Sequence, residues 1–288
     1  MVRAAIHAGV WSTDPAPDNV AHVAEAAASA DFAALAIPLR NLPALRPADL
    51  RRAFPAAGIS ALGTTGLPPG CDVTSADAEE RGRGRAHLMR VISVAAEIGI
   101  EQLNGVFYGR LGHAGQLPPL EAAQYSAEVI RDIADFAASA GIRLCAELVN
   151  RYETALLNTV DQALAYLALV DHPNLRLHLD TYHMAIEEPR PAEALARALP
   201  HLGYYELDQS HRGRLDEGSL DLPAISAPIV GTYDGLVGVE AFARARLAPE
   251  HADGLAIWRD HFDDGTALAL NARQLIAAIF EQAAPLRA

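Results

Sequence analysis

The sequence predicts an α/β chain folded as a single (β/α)8 TIM barrel over residues 1–288, on three observations. The length of 288 residues is close to the roughly 250 typical of that barrel. Short apolar runs of β character alternate eight times with longer stretches of helical period, and eight parallel strands are the number that closes. The first β-to-α turn, GVWSTDPAPD, has no G-x-G-x-x-G phosphate loop, so an open doubly wound sheet fits less well.

The first strand is read at residues 4–10, followed by a helix at 18–30 with Asp18 as the expected N-cap ahead of Val20, Val23 and Ala27. A second strand at 32–37 leads to a short helix at 47–54. GISALG, residues 58–63, is the third strand, and the helix at 75–98 sets Leu88, Val91, Ile92 and Ala95 at helical spacing. Strand four, 101–106, leads through a helix at 119–140 to strand five, 142–147; a helix at 159–170 leads on to strand six, 175–180. Residues 202–208 and 236–240 are strands seven and eight, and the last helix runs over 266–282. The segments rich in Pro and Gly, 66–70 and 111–119, fall between a strand and its following helix, where such a barrel carries its working loops. No linker divides the chain.

With 51% hydrophobic residues the chain can bury a large core, and its net charge of −13 repels phosphate backbones and anionic lipid. The expected partner is a small molecule, with no nucleic acid and no membrane. All 23 basic residues are arginine, so Schiff-base chemistry on a lysine and Walker-type nucleotide hydrolysis are excluded. Cys71 and Cys145 match no zinc or redox spacing and read as reduced thiols. No apolar run approaches the roughly 20 residues that span a bilayer, and the N-terminus has no signal-peptide pattern, which predicts a cytoplasmic protein.

In such a barrel, function sits at the C-terminal ends of the strands. Here those ends are acidic: Glu147 ends strand five (LCAELVNRYE), Asp180 strand six (LHLDTYH), Glu206 and Asp208 lie on strand seven (GYYELDQSHRG), and Glu240 ends strand eight (VGVEAF). Converging buried carboxylates repel one another and lose hydration, so the cluster needs protons or a cation, and a divalent metal is the simplest resolution. The competing reading pairs these acids with nearby arginines (Arg143, Arg151, Arg176, Arg212, Arg214), and His183 taken alone reads as a structural histidine.

The strings ELVNRYETALLNT at 147–159, LDTYHMAIEE at 179–188, SHRG at 210–213 and VEAF followed by IWRD resemble the D-tagatose 3-epimerase / D-allulose (psicose) 3-epimerase group of the xylose-isomerase-like TIM barrels. The resemblance runs from the YGRLG loop at 108–112 to the C-terminus. It implies a divalent ion, Mn with Mg or Co as alternatives, held by carboxylates of strands five, six and eight and a histidine of strand seven. Carried onto this sequence, the carboxylates are Glu147, Asp180 and Glu240, with Glu147 and Glu240 doubling as the acid/base pair. Glu153, His183 and Arg212 match residues that hold the sugar. The chain departs from the pattern at Glu206, which stands in the place of the metal histidine, and at Gln209, which stands where glutamate is usual. Three outcomes stay open: Glu206 ligates, His211 swings in, or the metal is lost. An all-carboxylate site of Glu147, Asp180, Glu206 and Glu240 favours Mg or Mn.

The function expected is C3 epimerisation of a free ketose through an enediolate, with two glutamates on opposite faces of the carbon. An aldose–ketose isomerase or a C-glycoside deglycosidase-type lyase on the same barrel is the alternative, and a metal-free sugar-binding subunit a further one. Trp11, Phe107, Tyr108 and Tyr182 are expected to wall the site. Arg244 and Arg246, expected to face solvent, offer no phosphate cluster. By analogy with relatives the chain is expected to be a homodimer or homotetramer, with 257–282 at an interface.

Overall fold

Parallel strands between a helical shell and a filled interior bury both faces and read as continuous apolar runs. The computed structural model, which describes residues 2–13, 16–112 and 120–281, shows this pattern in β4 (Gln102–Val106) and β7 (Leu202–Leu207), buried at every position. With β1 (Arg3–His7), β2 (Ala34–Pro38), β3 (Ser60–Gly66), β5 (Arg143–Leu148), β6 (Leu175–Asp180) and β8 (Leu236–Val239) they form one closed barrel in sequence order. β1 pairs in parallel with β8, which closes the ring and bears out the predicted barrel.

The shell consists of α1 (Pro17–Ser29), α2 (Pro47–Ala57), α3 (Ala78–Ile98), α4 (Ala122–Ser139), α5 (Val160–Val170), α6 (Thr181–Glu187), α7 (Pro191–Ala198), α8 (Leu222–Ser226), α9 (Pro249–Gly254) and α10 (Gly265–Phe280). Local chemistry sets their ends. Thr159 and Gln162 form a reciprocal capping box at the start of α5. Asp18 is not the N-cap of α1: Ala16 is, and Pro17, which lacks the N–H a first turn leaves unpaired, begins the helix. Asp18 lies instead inside the first turn, where its charge suits the helix dipole. The first strand also stops short of the expected 10, because Ala8–Val10 turn into a 3-10 helix after His7. The connection from β6 to β7 carries α6 and α7, which the periodicity did not assign. Residues 113–119 of the loop expected at 111–119, the first residue of the helix expected at 119–140 and the predicted helix end at 282 lie outside the described residues.

Inside the ring Ala5, Ala34, Ala36, Leu62, Cys145, Tyr204 and Leu236 form a separate buried cluster, so the interior is packed beneath the site rather than open. The pairing of β6 with β7 slips at one point: Leu177 faces Leu202, but His178 faces Tyr204. Gly203 is the extra residue, and a Cβ there would lie 2.6 Å from Cys145 Sγ. A bulge of this kind re-aims the residues beyond it. Here it sets Asp180 opposite Glu206. Among the described residues no helix is long and apolar enough to cross a membrane.

Candidate active site

Strand register assembles the acids. Glu147 of β5 lies opposite His178 of β6, Asp180 opposite Glu206 of β7, and Glu206 opposite Gly238 of β8. Glu240 is the first residue past β8, and its N–H donates to the Leu207 carbonyl at 3.2 Å, which keeps it on the same rim. The four acids expected from strand ends are thus brought together. Ligand atoms of Asp180, Glu206 and Glu240 lie within 4.8 Å of one another, as do those of Glu147, His178 and Glu206, and those of Glu147, Asp180 and His183. Asp180 is fully buried; its Oδ1 accepts the Tyr182 N–H at 2.6 Å as the cap of α6, while Oδ2 has no partner. A buried carboxylate oxygen without a partner suits a cation. A broader opening at the other end of the barrel, lined by Arg3, Glu101, Arg143 and Asp234 among others, holds none of these groups.

On the far wall Arg212 carries the positive charge. Its Nε donates to Asp208 Oδ2 at 2.8 Å, its Nη2 to Glu240 Oε2, and its Nη1 stands 3.7 Å from Glu153 Oε1. Tyr182 and Phe242 sandwich the guanidinium, with ring centroids 4.7 Å and 4.9 Å from its carbon. Asn150 organises the remaining corner: its side-chain amide donates to Glu153 at 3.0 Å, and its backbone N–H donates to His183 Nδ1 at 3.2 Å. Because that nitrogen accepts, the network assigns the His183 proton to Nε2, which faces Glu147 at 3.7 Å.

The acids titrate apart. Burial pushes the Glu147 carboxyl up to about 7, against the pull of His178, with Glu240, Glu206 and Glu153 adding repulsion. Burial raises Asp180 and Glu206 as well, each helped by a neighbouring acid. Burial also opposes ionisation of Glu240, but Arg212 together with His7, His178 and His251 holds that carboxyl below its ordinary value. Burial lowers His178 and His183 and keeps both rings neutral. Without a bound cation the two glutamates of this rim thus differ, Glu147 raised by burial and Glu240 lowered by its cationic neighbours, and groups whose environments push them apart in this way are candidates for acid–base roles.

The aromatic walls are placed differently from expectation. Tyr108 is fully buried, and its hydroxyl donates to the Glu147 carbonyl at 2.7 Å, so it props the strand end and does not line the cavity. Trp11 donates from its indole to Thr266 Oγ1 at 3.1 Å and does not line the cavity either. His211 stacks on His261 at 5.2 Å and belongs to none of the candidate ligand groups. Arg244 is tied to Asp253 and the Ile257 carbonyl, and Arg246 to the Asp263 carbonyl. The sequence reading passed over His178, His7, Arg40 and His251, all of which line the cavity. His178 carried a usable signal, since it stands two residues before Asp180 and therefore on the same face of the strand. His7 and Arg40 sit at or just after the ends of β1 and β2, positions the strand-end rule would have covered.

Three comparisons bear on this geometry. Residues 24–261 match the model of the xylose isomerase-like TIM barrel family. A ketose 3-epimerase of Arthrobacter globiformis is 32% identical over 94% of this chain and 94% of its own length. An L-ribulose 3-epimerase of Mesorhizobium japonicum is 32% identical over 98% of this chain and 96% of its own. The D-allulose 3-epimerase of Methylomonas sp., solved in complex with D-allulose, superposes with a TM-score of 0.93 at 32% identity, covering 97% of each chain.

Proposed function

This chain belongs to the xylose isomerase-like TIM barrel family and is an isomerase, and on that premise we propose that it epimerises a free ketose at C3 with a divalent metal bound at the acidic rim. The observation that carries the reading is the placing of Glu147 and Glu240 on β5 and just past β8, with Asp180 and Glu206 on the strands between them.

Removing the C3 hydrogen of a ketose needs a base beside the carbon and positive charge near the developing enediolate. Glu147, Asp180, Glu206 and Glu240 would hold the ion, Mn or Mg by their donor type, and the partnerless Oδ2 of Asp180 fits that use. The bound ion would supply the charge that makes the proton acidic. One of Glu147 and Glu240 takes the proton from one face of C3, and the other returns a proton to the opposite face, which inverts the centre. Glu153, His183 through its Nε2–H, and Arg212 orient the sugar's hydroxyls beside them. Arg244 and Arg246 are already paired, which supports a free rather than phosphorylated sugar.

The test is solvent-deuterium incorporation into a panel of free ketoses with protein carrying one Mn per chain. Label at C3 is the expected result. Label at C1 and C2 would indicate an aldose–ketose isomerase, turnover of ketose phosphates alone would change the substrate class and put Arg40 forward as the phosphate holder, and no exchange with any ketose would sink the reading.

A further inference from the structure

Resting on the metal reading above, we propose that His178, inside β6, is a nitrogen ligand of the same cation, so that the site is not built of carboxylates alone. The ring is 2% exposed and faces the barrel interior between two acids. Its Nε2 lies 3.0 Å from Glu206 Oε2 and its Nδ1 lies 3.7 Å from Glu147 Oε2. Neither nitrogen makes a hydrogen bond, so the 3.0 Å approach is a contact without the alignment a hydrogen bond needs. One nitrogen of the neutral ring is a lone-pair donor, and if it is Nε2 it meets the Glu206 carboxylate at this distance with a repulsion that only a proton or a cation near both relieves. Neighbouring donors of an octahedral ion with bonds of about 2.1 Å stand about 3 Å apart, which matches the approach of His178 to Glu206.

Other features of the fold hold the ring there. The bulge at Leu177 and His178 aligns this side chain with Tyr204, whose ring meets it edge-on at 4.8 Å. The Tyr204 hydroxyl is 3.3 Å from Glu206 Oε1 and donates to it, leaving Oε2 turned to His178. His183, which also falls in a candidate ligand group, is poorly suited: its Nδ1 accepts from Asn150, so the nitrogen facing Glu147 carries the proton. His178 therefore adds an imidazole donor from the strand beside Glu206 without adding charge, and shifts preference from Mg towards Mn or Co.

The experiment is pulsed EPR of full-length protein loaded with Mn(II), reading the ¹⁴N modulation of a directly bound imidazole. The modulation is expected in the wild type, retained in His183→Gln and lost in His178→Gln, with Mn affinity falling in the last on the order of tenfold or more. Bound Mn without ¹⁴N modulation in the wild type overturns this inference and leaves the metal reading standing; failure of the wild type to bind Mn overturns both. Should His178→Gln not fold, His183→Gln, His7→Gln and His251→Gln decide: modulation that vanishes with any of them assigns the nitrogen to that residue and overturns the proposal, and modulation that survives all three supports it.

Discussion

Arg212 donates to Glu240 from the loop after β7, across 28 positions of sequence, while its Nε holds Asp208 at 2.8 Å. A single guanidinium charge thus bridges a fully buried acid and the carboxylate just past the last strand. Removing one partner of a buried pair leaves the other charge uncompensated, at a cost of roughly 3–5 kcal/mol. Arg212→Met is expected to lower unfolding stability in urea by about that much, and adding Asp208→Asn to recover part of it. A loss under about 1 kcal/mol would show that Asp208 is stabilised in some other way.

Glu147 and Glu240 are expected to be separable. Each Gln variant should lower kcat by about 10²–10⁴-fold, yet the residual exchange should differ between the two C3 epimers of one ketose. Glu147→Gln should keep C3 exchange with one epimer and Glu240→Gln with the other. Equal loss with both epimers in both variants would argue for a single base.

Metal loading should release protons. Burial leaves Glu147 at about 7 and raises Asp180 and Glu206 in the metal-free protein, and a carboxyl must give up its proton before it ligates. Raised groups are protonated below their pKa, so release on binding Mn should be greater at pH 6 than at pH 8, and affinity should fall as pH drops. Calorimetry in two buffers of different ionisation enthalpy measures the proton count. No release at pH 6 would contradict the raised carboxyls.

Gly238 leaves the space in which the Tyr204 ring sits, since a Cβ there would lie 2.2 Å from the Tyr204 hydroxyl. Gly238→Ala must push the ring aside and with it the hydrogen bond to Glu206. A loss of about 1–3 kcal/mol in stability is expected, with weaker Mn binding. Unchanged Mn affinity would mean that Tyr204 does not set the position of Glu206.

Glu187 braces the loop after β5 to α6. It accepts from the Arg151 backbone N–H at 2.7 Å and from that guanidinium at 2.9 Å and 2.8 Å. Burial would raise its carboxyl, but these bonds win and hold it below the ordinary 4.5. A carboxyl lowered in the folded state stabilises fully above its unfolded pKa, and that contribution is lost as pH falls through the folded value. Because the Arg151 guanidinium is exposed and screened by solvent, Glu187→Gln should destabilise the fold at pH 7 and progressively less below pH 4.5. A pH-independent difference in urea unfolding would show that the charge plays no part.

The barrel and the acids at its rim were legible along the chain because both are local properties: alternating periods of two and 3.6 mark strand and helix, and a strand's last residue is found by where its apolar run stops. Glu147, Asp180 and Glu240 followed from that rule, and Glu206 from its place inside strand seven. Which residues face one another is not local. His178 reads as one more core position until β5 and β7 set Glu147 and Glu206 against its two nitrogens, and that depends on a single extra residue, Gly203, slipping the register of β7. Likewise Tyr108 and Trp11 look like walls of the site in the sequence, but tertiary packing turns the first onto the Glu147 carbonyl and the second onto Thr266. A strand's own sequence sets which side chains share a face; only pairing and packing with segments distant in the chain decide what each of them meets there.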